Sequence, residues 1–239
     1  MKNISASSLV EYLHSSPSRR AAIIKTAISP PIFLIDRYGV TQRVARQALS
    51  NRSIEPFQIA HEIVSKKIAR NQFHKSRIAN TLESLEGARL LLRDFIDSDV
   101  GYARPSSIDA SYEIEGINVR ISPTSIVFVR NPSGGMEVGI LKLHCSKSFR
   151  LGAIAGADYG ALLHWYTDAK LGLMGPPNAD LCIILDVFSG EKFKAPKSFK
   201  MRRRTISEAC QEIADRWDKI ASREDTRTSE ISVIQEAGL

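Results

Sequence analysis

Lys142 and His144 stand two apart in the run 136–147, MEVGILKLHCSK. In an extended strand, residues two apart project from one face. Val138, Ile140, Leu141, Leu143 and Cys145 surround the pair with apolar groups. Polar groups on a core strand are costly to bury. The pair therefore reads either as a cationic pocket for phosphate, or as a strand end where the lysine head reaches water and the histidine bonds to backbone. Glu113 and Glu115 are a second pair. They serve acid/base or metal chemistry if they share a strand face, or flank a hairpin turn into Gly116. The densest cationic stretch is Lys192, Lys194, Lys197, Lys200, Arg202, Arg203 and Arg204, interleaved with Phe193 and Phe199 and opposed locally only by Glu191. Such a stretch can hold a nucleic-acid backbone by charge and bases by stacking, or can simply solubilise a loop. Arg19, Arg20, Lys25, Arg37, Arg43 and Arg46 are spread over helices near the N-terminus. Val40 to Ala45 could open a recognition helix, although no clear preceding helix and tight turn lead into it.

The elements that must position these groups follow from periodicity and punctuation. Helices are predicted over 5–16 (capped by Ser5 or Ser7), 18–28 (capped by Ser16 ahead of Pro17), 32–50, 56–73 and 76–96. From Pro105 the pattern becomes β-like, with strands over 108–113, 117–121 and 125–130, a turn at 131–135, and then the Lys142 strand. A helix rich in Ala and Gly over 152–169 follows. The apolar run 180–188 reads as a strand covered on both faces, and 191–195 as its short partner. A last helix, capped by Thr205 or Ser207, runs to about 221, and 222–239 read as a mobile tail.

Composition bounds the classes. The chain has 239 residues, 43% hydrophobic, enough for a substantial core. Its net charge of +7 tolerates a polyanionic partner. The surplus is uneven: residues 1–100 hold 15 Lys/Arg against 9 Asp/Glu, the rest 18 against 17. No apolar run reaches the length of a membrane span, and the N-terminus lacks a secretory pattern. Cys145, Cys182 and Cys210 are widely spaced with no metal-ligand spacing, as expected of reduced core thiols in a cytoplasmic protein.

The order helix, three strands, helix, strand resembles the core of the PD-(D/E)XK nuclease-like superfamily over residues 76–195. Two stretches carry the resemblance. Ser122-Pro123-Thr124-Ser125-Ile126-Val127 stands where the family has Pro-Asp before a strand. Leu141 to Lys147 stands where it has acid-x-Lys. The run 142–147 is also similar to a strand in bacterial proteins. The resemblance implies a site in which two carboxylates hold Mg²⁺ and a lysine assists the attacking water. Here Thr124 replaces the first acid, Lys142 the second and His144 the lysine, which implies a degenerate site. Glu113, Glu115 or Glu137 would have to supply a migrated acid.

The expected architecture is α/β: a helical N-terminal region (1–75), an αβββαβ mixed-sheet core like that of restriction endonucleases with a trailing helix (76–221), and the tail 222–239. The expected function is a catalytically degenerate, nucleic-acid-binding or regulatory module, without cofactor or bound metal, acting on DNA or RNA. Lys142, His144 and Lys147 would line the site, and Lys197, Lys200, Arg202, Arg203 and Arg204 would extend it. The alternatives are a Mg²⁺-dependent nuclease with a migrated acid, its candidates Glu113, Glu115, Lys142 and His144, and a protein-interaction module or homo-oligomer that ignores nucleic acid.

Overall fold

A computed structural model describes residues 1–31, 38–105 and 110–236, with side chains up to Ser222. The chain opens with strand β1 (Asn3–Ser5), then helices α1 (Ala6–Leu13) and α2 (Pro17–Ile28). The Ser5 side chain accepts from the Ser8 N–H and caps α1. Ser16 caps α2 in the same way, with Pro17 in the first turn, where its missing N–H costs nothing. Helices α3 (Gly39–Asn51), α4 (Glu55–Ser65) and α5 (Gln72–Ile96) follow. Next come strands β2 (Gly101–Ala103), β3 (Ser111–Ile114), β4 (Ile117–Arg120), β5 (Ser125–Arg130) and β6 (Met136–His144). Helix α6 (Ala153–Leu171), β7 (Ile183–Asp186), β8 (Glu191–Lys194) and the long helix α7 (Phe199–Glu236) complete the order.

The protein is mixed α/β. Its central sheet has the order β2-β5-β6-β7-β8. β5 runs antiparallel to β2 and β6, β7 runs parallel to β6 after the α6 crossover, and β8 turns back antiparallel to β7. β6 alternates as its sequence requires. Val138 and Ile140 enter one core, shared with α1, α2, α6, α7 and a second sheet of order β1-β4-β3. Leu141 and Leu143 enter the other, under α3, α4 and α5. All four residues of β7 are buried, as expected of a strand covered on both faces. Close approach explains the glycines of α6: a Cβ on Gly156 would strike the Phe193 ring at 2.3 Å, and one on Gly160 the Lys194 carbonyl at 2.6 Å.

Several elements differ from the sequence expectation. β3 and β4 do not join the central sheet; they form a hairpin whose β4 pairs with β1, and the unanticipated β2 takes the edge beside β5. Three-residue strands such as β1 and β2 are too short to show a period. Residues before 75 share both cores with the rest of the chain: α1 and α2 lie on one face, α3 and α4 on the other. The helix expected over 56–73 ends at Ser65, because 66–71 carry charge without apolar period, and α5 starts from the Asn71 cap. The last helix begins at Phe199, ahead of Thr205, and continues to Glu236, well past 221. Arg37, Ile108 and Asp109, and the tail's final residues 237–239, lie outside the described residues. Among the described residues no helix is long and apolar enough to cross a membrane.

Candidate functional site

The C-terminal ends of parallel β6 and β7 meet the start of β5 on one side of the sheet. In open α/β sheets ligands bind outside such strand ends. Thr124 stands there fully buried and is spoken for. Its hydroxyl donates to the Gln42 Oε1 at 2.9 Å and accepts from the Leu143 N–H at 3.0 Å. The Gln42 amide in turn donates to the Leu143 carbonyl at 3.1 Å, so α3 is fastened to the sheet at this point.

Lys142 and His144 share the face of Val138 and Ile140 but have different surroundings. The Lys142 ammonium donates to the Ser122 carbonyl at 2.7 Å. Burial pulls its pKa down to about 8; the neighbouring Cys145 thiol opposes this, while Arg46 and Arg120 push the same way as burial. Ser122 has φ 45°, a left-handed conformation that is strained for a residue with a Cβ and disfavoured before proline. Arg46, one turn beyond Gln42 on α3, donates to the Pro123 carbonyl at 3.3 Å, and its buried Nε has no acceptor among the described residues. Burial depresses Arg46, and Arg104 adds to the effect. Lys142, Arg46, Arg120 and Arg104 thus form a cationic cluster. No carboxylate of the described residues is among the groups acting on its two central members, Lys142 and Arg46. Neutral carbonyls hold these two in place.

His144 is buried and fully engaged. Its Nε2 lies 2.7 Å from the Phe149 carbonyl, which can only accept, so Nε2 carries the proton. Nδ1 then accepts from the Ser7 hydroxyl at 3.3 Å, and Ser7 accepts from the Tyr159 hydroxyl at 3.1 Å. Burial lowers the His144 pKa, keeping the ring neutral at pH 7, against the Phe149 carbonyl and Asp186, which pull it up. This directed chain ties α1, β6 and α6 together. Beside it, the buried Asp186 carboxylate accepts from the backbone N–H groups of Leu151 (2.7 Å), Phe188 (3.1 Å) and Ser189 (3.4 Å). Sequence reading missed Asp186, which lies concealed at the end of an apolar run.

The expected acids lie elsewhere. Glu115 and Gly116 have φ 47° and 72° and form the two-residue turn between β3 and β4, so Glu115 does not share a strand face with Glu113. Glu115 accepts from the Ser207 hydroxyl, and Glu113 is exposed on β3 opposite Asn118. Glu137, at the far end of β6 from Lys142, accepts from the Asn178 amide. The strand-end donors are a hydroxyl, an ammonium, an imidazole and the Asp186 carboxylate, whose oxygens accept from three backbone N–H groups. One engaged carboxylate beside an ammonium does not suit Mg²⁺, a hard cation that favours anionic oxygens.

The 192–204 cations are largely engaged within the fold, by partners distant in sequence. Lys194 pairs with Asp180 at 2.9 Å, and the Lys192 ammonium sits 4.3 Å from the Phe95 ring centroid. Arg202 pairs with buried Asp158, which also holds His14 at 2.8 Å. Arg203 pairs with Asp168 at 2.9 Å, reaches His164 and lies over the Phe199 ring. Arg204 meets Glu208 at the surface, Lys147 pairs with Glu83 of α5, and Lys197 and Lys200 are exposed. The structure pairs Arg202, Arg203 and Arg204 with acids elsewhere; Arg46 and Arg120 stand near Lys142 instead, with Arg104 near Arg46. Asp158→Ala is expected to cost about 2–4 kcal/mol, because it strands the partly buried Arg202 guanidinium. Urea unfolding checks this, and a loss under about 1 kcal/mol would contradict the assignment.

No known protein family matches the sequence, and no curated protein matches it.

Proposed function

We propose that this protein binds nucleic acid through the cationic cluster at the ends of β5 and β6, on a nuclease-like core whose metal-binding acids have been replaced. The observation that carries this reading is the pair Lys142 and Arg46: partly buried cations held by neutral carbonyls, with no carboxylate of the described residues acting on them. Burying cations without counter-charge is unfavourable. Such an arrangement is favourable once an external anion arrives, and a phosphodiester supplies one per nucleotide.

The order of elements supports the nuclease-like part. Helix α5, strands β2, β5 and β6, helix α6 and strand β7 follow the αβββαβ order, with the β3–β4 hairpin inserted between the first two strands. Thr124 and Lys142 then occupy the positions of the two acids. A phosphate would meet the Lys142 ammonium and the Arg46 guanidinium where the metal would otherwise lie, so the backbone is bound and not cut.

Binding of labelled DNA and RNA across a salt series tests the proposal. Affinity is expected to fall with a log–log slope of about −2 or steeper, as roughly three contacted phosphates require. No binding at low salt, or a flat salt response, removes the reading.

A further inference from the structure

A second cationic hollow lies beside α3. It is a cavity of about 370 Å³ between α3, the end of α4 and the start of α5. Arg43, Lys67, His74 and Arg77 line it together with Val40, Val64, Ile68, Ile78 and Thr81, and none of these residues is acidic. Lys67 and Arg77 are exposed, and Ile68 is 91% exposed. The first turn of α5, capped by Asn71, brings His74 to the rim and adds the positive end of a helix dipole. Cations around an accessible apolar floor suit a ligand that carries both negative charge and a flat apolar face.

The hollow is joined to the strand-end cluster. Arg43 lines the hollow and Arg46 reaches the Pro123 carbonyl beside Lys142. Residues three apart on a helix are surface neighbours, with Cβ atoms about 5–6 Å apart. Successive phosphates of a strand advance about 3.4 Å along a duplex axis and farther when the strand is extended. One turn of α3 is therefore a step that a single backbone can take between the two cation groups.

We infer that this hollow is a second subsite for a single nucleic-acid strand: it takes the strand's continuation from the Lys142 cluster, with phosphates on Lys67 and Arg77 and a base against Val40, Val64, Ile68 and Ile78. This rests on the nucleic-acid reading of the Lys142 cluster. The apolar floor selects for a single strand, since bases paired in a duplex cannot turn a face into it.

Fluorescence anisotropy of the full-length protein with a labelled single-stranded oligonucleotide and its duplex tests this. Lys67→Gln combined with Arg77→Gln alters only exposed side chains, so the fold is retained. The double variant is expected to weaken single-strand binding about tenfold at low salt and to reduce the log–log salt slope by about 1.4, two phosphates at roughly 0.7 each. Wild-type protein is expected to prefer the single strand. If wild type binds and Lys142→Met weakens it, but the double variant keeps the wild-type slope, the second subsite is overturned and the first stands. Equal affinity for single strand and duplex overturns the role of the apolar floor. Absence of any wild-type binding overturns both sites together.

Discussion

Lys142→Met is expected to stabilise the fold at pH 7 by about 1–3 kcal/mol while weakening nucleic-acid binding. The gain comes from the folded-state pKa of about 8, below the ordinary lysine value. Each unit of depression corresponds to about 1.4 kcal/mol against the charged form. The sign follows from proton counting. Between pH 8 and about 10.5 the unfolded lysine holds its proton and the folded one does not, so stability rises with pH in that window. Below pH 8 both forms are protonated and the full cost of burying the charge is present. Methionine removes that cost and nearly fills the same volume, so the gain is largest at neutral pH and fades above pH 10. For a chain of this size a gain of 1–3 kcal/mol raises Tm by roughly 2–10 °C. Calorimetry at pH 7 and pH 10 checks it. A variant less stable than wild type at pH 7 would show that the ammonium is a structural support and not a strained binding group.

Asp186→Ala is expected to have the largest destabilising effect at the strand ends, about 2–4 kcal/mol. Its carboxylate accepts from three backbone N–H groups in the chain segments that follow β6 and β7. The Leu151 N–H is buried, and without an acceptor it bears the full cost of its lost solvation, about 1–3 kcal/mol. Phe188 and Ser189 lie nearer solvent and recover part of theirs from water. Asp186→Asn keeps one accepting oxygen and should lose about half as much. Urea unfolding of both variants is the measurement; an alanine variant within about 0.5 kcal/mol of wild type would mean that water replaces the carboxylate, contrary to this packing.

The parts of the fold legible in the sequence are those that local patterns determine. Ser5, Ser16 and Pro17 mark helix starts through bonds made within a few residues. The two-residue period of β6 put Lys142 and His144 on one face, and the apolar run around β7 announced a strand covered on both faces. The site itself depends on distant pairings that a local pattern cannot show. Arg46 meets Lys142 only because α3 packs onto the sheet through Gln42, some eighty to a hundred residues from its partners Thr124 and Leu143. Arg202 and Arg203 read as free cations because Asp158 and Asp168, which neutralise them, lie on α6 about forty residues earlier. The hairpin alternative for Glu113 and Glu115 was legible for a local reason: a residue directly before glycine between two alternating runs is placed for a two-residue turn.

The central claim, that Lys142 and Arg46 are held in readiness for a phosphate backbone, is tested most directly by single-strand binding of wild type and of Lys142→Met with Arg46→Gln, each across a salt series at pH 7. The expected result is measurable binding by wild type, with affinity about tenfold or more lower in the double variant and a salt slope shallower by about 1.4, the loss of two phosphate contacts. Wild-type affinity and slope in the double variant would place the binding surface elsewhere and contradict the assignment of these two cations.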